Sequence, residues 1–309
     1  MKLSISRRSI LSSALAAPML LNAASASAQT TLTPAKTASA RSFQIGKFIV
    51  TTLLDGTITR DDTKNVFGQG VSDEEFARVS KENFISPDKG QFYFTPTLVY
   101  TGSELVLFDT GLGGGGIQKA LADVGVTPEQ IDIVVITHMH GDHIGGLKTS
   151  GATTFPNARY VTAAAEYDFW TGLGDNERAA PVRNNVVPLA EKTSFIKDGE
   201  SVVSGITAVS AAGHTPGHTL FMLESEGQQL LLTADLANHY VLSFLNPEWP
   251  IIFDNDKDAA ATSRRKILDM LATDRVPMIG YHMPFPGMGF VETRDSGFRF
   301  VPVGYQFAI

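Results

Sequence analysis

A layered α/β body is the fold class this sequence predicts, on three observations. Short β-forming runs recur along the chain, amphipathic stretches interrupt them, and histidine or aspartate residues repeatedly follow the strand ends. A strand buries one face and a surface helix one stripe, so alternating elements of both kinds stack as layers on sheets rather than as a helical bundle.

In chain order, residues 1–28 stand apart from that body. Ser6-Arg7-Arg8-Ser9-Ile10-Leu11 opens an apolar stretch running to Leu21, and Ala26-Ser27-Ala28 offers the small residues a signal peptidase cuts after. This is the pattern of a twin-arginine export signal cleaved near Gln29, and it predicts a bacterial periplasmic or secreted protein. The apolar stretch is short for a membrane span, so no stable membrane insertion is expected. Residues 29–42, rich in Thr, Ala, Ser and Lys, read as a flexible lead-in. Residues 43–309 remain as a single folded domain, long enough for a large core.

Within that domain, residues 43–54 form a strongly β-prone run that ends at the turn pair Asp55-Gly56. Residues 92–100 and 105–108 flank Thr101-Gly-Ser-Glu104 as a hairpin and carry Asp109 to a loop. Residues 111–116 are glycine-rich but lack the Lys-Ser/Thr of a nucleotide phosphate loop, so they read as a mobile or open pocket edge. Thr127 caps a brief helical turn with Pro128 in its first position, and residues 131–136 return to β structure. Later strands are expected over 205–211, 220–223, 229–232 and 277–281, the middle two as a hairpin. Residues 258–272 set Ala261, Ile267, Leu268 and Leu271 among charges, as an amphipathic helix does.

The segment Thr137-His-Met-His-Gly-Asp-His-Ile-Gly-Gly146 follows one strand end and gathers three imidazoles and a carboxylate. Packing gives no reason for such a cluster; a metal centre does. The chain has seven histidines and no cysteine, so thiolate ligands and disulfides are excluded. His214, His218, His239 and His282 complete the set, mostly in short polar segments at the ends of apolar runs. Neutral imidazole and carboxylate together suit zinc and other borderline metals. Read singly, His214 and His282 can be structural histidines, Asp235 a helix cap, and Asp142 a base beside the metal. Asp109, next to Thr110-Gly111, suits orientation of a metal-bound imidazole better than ligation, and His218 suits a supporting role. The formal net charge of −7 opposes nucleic acid and anionic membranes as partners, and loss of Lys2, Arg7 and Arg8 with the leader deepens it.

Taken together, these residues resemble the metallo-β-lactamase fold superfamily in its binuclear hydrolase branch. The His-x-His-x-Asp-His motif, followed in order by His, Asp and His, carries the resemblance. Within the branch the chain is similar to the exported methyl-parathion-hydrolase-like proteins and the N-acyl-homoserine lactonases. The stretches concerned are Leu54-Asp-Gly-Thr57, Phe108-Asp-Thr-Gly111, Gly213-His-Thr-Pro-Gly-His218, His282-Met-Pro-Phe-Pro-Gly287 and Gly297-Phe-Arg-Phe-Val-Pro-Val303. The resemblance implies an αβ/βα four-layer sandwich with metals at the edge shared by two sheets, and often a homodimer. It implies two divalent ions per chain, zinc in the simplest case, with cobalt, manganese or iron as substitutes. His138, His140 and His214 would hold one and Asp142, His143 and His282 the other, with Asp235 bridging. Asp142 and Asp235 are the carboxylates expected to take part in catalysis.

The implied function is a metal-dependent hydrolase. It would open N-acyl-homoserine-lactone-like or other hydrophobic lactones and esters by attack of a bridging hydroxide, with phosphotriesterase activity on the side. A dedicated organophosphate hydrolase is the alternative, and a periplasmic metal-binding protein the non-enzymatic one. A β-lactamase fits less well because Asp235 supplies a bridging carboxylate which that family's sites lack. A neutral hydrophobic small molecule is the expected substrate, since no cationic cradle is evident. Tyr167, Phe169, Trp170, Tyr240, Leu242, Phe244, Leu245 and Phe285 offer apolar wall. One position departs from the resemblance. Many homoserine lactonases carry Tyr three residues after the bridging Asp, where this chain has Asn238 followed by His239 and Tyr240. Asn238 and His239 therefore join the pocket candidates, and Tyr240 is the residue that would compensate.

Overall fold

Alternation along the strands sorts the apolar side chains into separate core layers. In the computed structural model, which describes residues 38–304, the first sheet contains β1 (Ala40–Ile45), β2 (Phe48–Leu53), β3 (Thr97–Tyr100), β4 (Leu105–Phe108), β5 (Ile133–Val135), β6 (Arg159–Ala163) and β7 (Thr193–Ile196). The second contains β8 (Ser201–Val203), β9 (Ile206–Ser210), β10 (Thr219–Ser225), β11 (Gln228–Ala234), β12 (Met278–Gly280), β13 (Met288–Arg294) and β14 (Gly297–Pro302). In both sheets spatial order follows chain order. Pairing from β4 to β7 is parallel, as is that of β11 with β12, and the remaining neighbours are antiparallel. Parallel pairs need long crossovers, and these supply the helices and the loops of the site.

The two sheets meet face to face over Val50, Val106, Phe108, Val135, Phe221, Leu223 and Leu232. The next residue along each strand points the other way: Leu107 and Val134 pack outward against Ile117, Leu121 and Trp170. Across the second sheet, Leu220, Leu231 and Met278 meet Ile267, Leu268 and Leu271 of helix Lys257–Asp274. Helix, sheet, sheet and helix make the four layers of an αβ/βα sandwich. Among the described residues no helix is long and apolar enough to cross a membrane.

The structure adjusts several sequence expectations. Residues 1–28, read as an export signal, lie outside the described residues, as does most of the lead-in. Ala40 to Ser42, assigned to that lead-in, belong to β1. The run over 43–54 is two strands rather than one, because Gly46 takes φ 54° and turns the chain. The run over 92–100 divides at Pro96, which cannot donate to a ladder. Its first part, residues 92–94, belongs to strand Lys89–Phe94, which pairs with Gly56–Asp61 in a separate ribbon, so Asp55-Gly56 opens a strand instead of closing one. This ribbon and helices Thr63–Phe67 and Asp73–Glu82 share a fourth apolar cluster, which includes Phe67, Phe76, Phe92, Phe94 and Ile251.

The loop over 111–116 is packed rather than open. A Cβ on Gly111 or on Gly116 would come within 2.3 Å or 2.4 Å of the Asp55 side chain, and Gly111 also has φ 79°. Asp55 Oδ2 accepts the Leu112 N–H at 2.9 Å. Glycine is there for close approach to a carboxylate. Burial pushes the Asp55 carboxyl up to about 6, against the pull of the Leu112 and Ile117 N–H groups. A raised carboxyl contributes stability while protonated and loses it as pH rises through about 6. Asp55→Asn keeps an acceptor for Leu112 without the charge. Its melting temperature relative to the parent is expected to rise between about pH 4.5 and about pH 7.5. A difference that stays flat across that range would mean that Asp55 carries no buried-charge cost.

Candidate metal centre

The ligand candidates and the Asp109 that supports them lie beyond the C-terminal ends of strands, Asp142 and His143 in the short helix that follows one of them, at one edge of the sandwich. Asp109 follows β4, His138 and His140 follow β5, His214 follows β9, Asp235 follows β11, and His282 follows β12. Asp109 and Ala234, which precedes Asp235, take left-handed φ values of 59° and 42°. Such positions cost on the order of 1–3 kcal/mol each in non-glycine residues and persist where surrounding contacts over-determine them.

Asp109 supplies such contacts. Its oxygens accept the Thr137 N–H at 2.9 Å, the Thr137 hydroxyl at 2.8 Å and His143 Nδ1 at 2.8 Å. His140 caps the short helix Gly141–Ile144, which carries Asp142 and His143. Glu166, fully buried in helix Ala164–Gly172, accepts four hydrogen bonds. They come from Met139 N at 2.8 Å, Trp170 Nε1 at 2.7 Å, the Thr215 hydroxyl at 2.7 Å and Gly217 N at 2.9 Å. One carboxylate thereby clamps the segment between His138 and His140 to the segment that follows His214. Burial raises the Glu166 pKa, and the four donors oppose that rise.

The remaining imidazoles are held from behind. His214 Nδ1 meets Asp254 Oδ1 at 2.9 Å, and Asp254 is itself fixed by the buried Arg264 at 2.8 Å. His282 Nδ1 donates to the Tyr93 carbonyl at 2.9 Å. With Nδ1 protonated in His143, His214 and His282, each Nε2 is a bare acceptor aimed at the centre. There they face other acceptors. His143 Nε2 lies 3.1 Å from Asp235 Oδ1, and His214 and His282 Nε2 each lie 3.2 Å from Asp235 Oδ2. His138 Nε2 is 3.1 Å from His140 Nδ1 and 3.2 Å from His214 Nε2. Buried His143 Nε2 and Asp235 Oδ1 have no hydrogen-bond partner.

Buried lone pairs converging at such distances require cations between them. Two groups fit: His138, His140, His214 and Asp235, and Asp142, His143 and His282, the ligand atoms in each lying within 4.8 Å of one another. The six flanking residues divide as the resemblance implies; Asp235, expected to bridge, groups with the first set and also lies 3.1 Å from His143 and 3.2 Å from His282 of the second. Proton affinities express the same demand. Without a cation, a proton on Nε2 would answer that demand instead: burial disfavours charge on His214, yet Asp235 and Asp254 outweigh it and push the imidazole up to about 9. His138 and His140, mainly through burial, are held well below the ordinary imidazole range.

A cavity of about 450 Å³ opens above this floor. His140, Asp142, Asp235 and His282 form its base, and Ile58, Phe92, Phe94, Leu112, Ile252 and Phe253 its apolar wall. Arg60 and Arg178 stand on that wall too, which corrects the expectation that no cationic group borders the site.

The aromatic residues proposed as wall from composition sit elsewhere. Trp170 is buried in the helix layer, touching His140 edge-on at 5.7 Å while Tyr167 and Phe169 pack beside it. Leu242 and Phe244 are core residues, with Leu245 packed against one of those clusters. Phe285 is half-buried and does not line the cavity. Asn238 Nδ2 donates to Asp235 Oδ2 at 2.9 Å. His239, pushed down to about 4 by burial, accepts two backbone N–H groups and stacks under the part-exposed Tyr240, which lies off the cavity wall. His218 spends both ring nitrogens on structure, donating to the Ala211 carbonyl at 3.0 Å and accepting Asp235 N at 3.2 Å. Residues missed from sequence are Glu166, Asp254, Arg264 and Tyr281, whose ring stacks on His143 at 3.9 Å while its hydroxyl donates to the Asp142 carbonyl at 2.6 Å.

The family model of the metallo-beta-lactamase superfamily matches residues 95–281, a span that holds six of the seven ligand candidates and stops one residue short of His282. The chain belongs to the metallo-β-lactamase superfamily. Among its members of known structure it is similar to AidC, a dizinc quorum-quenching lactonase solved in complex with a product. The identity is 27% and the TM-score 0.81, covering 86% of this chain and 98% of that one. It is also similar to the hydrolase AbOPH, at 25% identity and TM-score 0.79, covering 88% and 99% of the two chains. In sequence it is 29% identical over 152 residues to an N-acyl homoserine lactonase of Bacillus cereus, covering 48% of this chain and 56% of that protein. An uncharacterized protein of Bacillus subtilis, YobT, is 29% identical over 131 residues, 40% and 54% of the two lengths. The chain thus spans about half the length of these sequence relatives.

The parent protein is expected to bind two divalent ions per chain by elemental analysis. Glu166→Gln puts a donor where four donors already point. It should lower metal affinity roughly 10- to 100-fold, as loss of a ligand-supporting contact does. Competition against a chromogenic chelator reads this directly; unchanged affinity would remove Glu166 from the support of the centre.

Proposed function

We propose that this chain is a binuclear metal-dependent hydrolase that opens lactones and esters with an apolar body. The observation that carries the reading is the cavity. Ligand candidates form the floor of an apolar pocket, whereas a metal-storage or structural site would be sealed by protein. Similarity to a dizinc lactonase over nearly the whole of that chain supports the same class.

Two divalent ions, when bound, supply an activated water at neutral pH and polarise the acyl or phosphoryl oxygen. The chain's own groups do the rest. Phe92, Phe94, Ile58, Leu112, Ile252 and Phe253 take the apolar body and exclude water from the reacting bond. Asp142, with a side chain 23% exposed against 4% for Asp235, is the carboxylate open to the cavity. It accepts the proton of the attacking water and returns it to the leaving oxygen. Asp235 is kept in orientation by Asn238 and by His218 behind its backbone N–H.

Asn238 bears on substrate range. Its amide is engaged with Asp235, so this position offers no phenol to the leaving oxygen. An aryl group that departs as a stable phenolate needs no such donor, and side activity on aryl phosphotriesters follows.

Rates measured across lactones of graded tail length, aryl esters and aryl phosphotriesters on one metal-defined preparation test the reading. Lactones or aryl esters with apolar tails are expected to lead, activated phosphotriesters to follow, and chelation to abolish all three. Absence of turnover on every class with both metals bound would overturn it. Asp235→Asn, which removes a charge shared by the two groups, should cost activity on the order of 10²-fold or more with secondary structure retained. Near-parental rates with full metal content would take Asp235 out of the mechanism.

A further inference from the structure

The sequence suggested a neutral substrate, and the two arginines on the cavity wall argue against that. Arg60, at the end of the Gly56–Asp61 strand, lays its guanidinium over the Phe253 ring at 5.4 Å. Arg178, from the turn Glu177–Ala179, lies 5.9 Å from the Trp170 ring centroid and reaches Asn255 Oδ1 at 3.4 Å. Phe253 and Asn255 belong to one segment, so two distant parts of the chain bring their cations to the same stretch of wall. That segment is tied to the centre, since Asn255 N donates to the His214 carbonyl at 2.9 Å.

Neither arginine forms an ion pair among the described residues, whereas Arg78, Arg264, Arg265 and Arg299 each meet a carboxylate. Stacking on an aromatic face holds a guanidinium in place without spending its N–H donors. The N–H groups that remain, the fork of Arg60 and those of Arg178 not given to Asn255, match the oxygens of a carboxylate. In a chain of net charge −7, such a pair at a cavity wall also makes a local attractive field for an anion.

We infer that Arg60 and Arg178 form a subsite for an anionic group, so that the preferred substrate is a lactone or ester whose apolar body ends in a carboxylate. The inference rests on the hydrolase reading above and narrows its substrate class. The reacting bond sits over His140, Asp142, Asp235 and His282, the body runs along Phe92 and Phe253, and the charged end meets the arginines.

Matched substrates with one leaving group test it. The 4-nitrophenyl monoester of adipic acid is compared with its methyl-capped diester, and the suberate pair repeats the comparison at greater length. The readout is the ratio of kcat/KM for the free acid to that for the methyl ester. The parent ratio is expected to exceed unity for at least one length and to fall as salt rises to about 0.5 M. Arg60→Gln and Arg178→Gln should each lower the ratio on the order of fivefold, the scale of one partly exposed charge contact. Arg178→Lys, which keeps the charge and loses the fork, should fall between. Thermal melts accompany each variant, and Arg60→Glu gives an independent check by reversing the preference. Ratios at both lengths that stay the same in parent and variants overturn the subsite while leaving the hydrolase reading intact. Failure of the two-metal protein to hydrolyse either ester overturns both.

Discussion

The arrangement of this protein turns on one electrostatic constraint: acceptors are aimed at acceptors in a buried space. His143, His214 and His282 each use Nδ1 on a carboxylate or a carbonyl and present Nε2 to the oxygens of Asp235. Left unneutralised, such a cluster costs several kcal/mol for each buried group. Much of the surrounding polar structure keeps it in that state. Asp109, Asp254 with Arg264, and the Tyr93 carbonyl all fix the ring orientations from outside. Positive φ at Asp109 and Ala234 is part of the same outlay.

The two sheets divide the labour. Ligand candidates from the first half arrive after β5 and in the short helix that follows, and those from the second half after β9, β11 and β12. Neither sheet holds a complete set. The face-to-face core aligns the two edges coarsely, and Glu166 sets the finer register by binding backbone on both sides. A buried carboxylate with four donors is specific in direction as well as in distance, which apolar packing is not.

What could be read from the sequence follows from how local each signal is. The cluster from His138 to His143 lies within one loop, and His214, Asp235 and His282 end apolar runs, so periodicity alone brought them to strand ends. Helix Lys257–Asp274 and the capped turn after Thr127 were equally legible. Asp73–Glu82 carries a start of the same local kind, Ser72 accepting the Glu75 N–H. Glu166 and Asp254 had no comparable mark: a lone acid in a mixed segment looks the same whether it is buried or solvated. The pocket wall failed for a related reason. Trp170 and Phe169 are conspicuous in composition, yet they fill the helix layer, while Ile58, Arg60 and Phe92 come from a ribbon whose pairing across the chain no local pattern announces.

That ribbon has a consequence for how the protein can change. Phe92 and Phe94 pack in the fourth apolar cluster, which shares no residue with the core between the sheets or with either outer layer. The chemistry-bearing floor is anchored in the sandwich, whereas one side of the chamber above it stands on separate foundations. Substitutions at ribbon side chains that face the chamber, such as Ile58, are therefore felt first by what enters it, whereas the stretch 92–94 also holds His282 and is less free to vary.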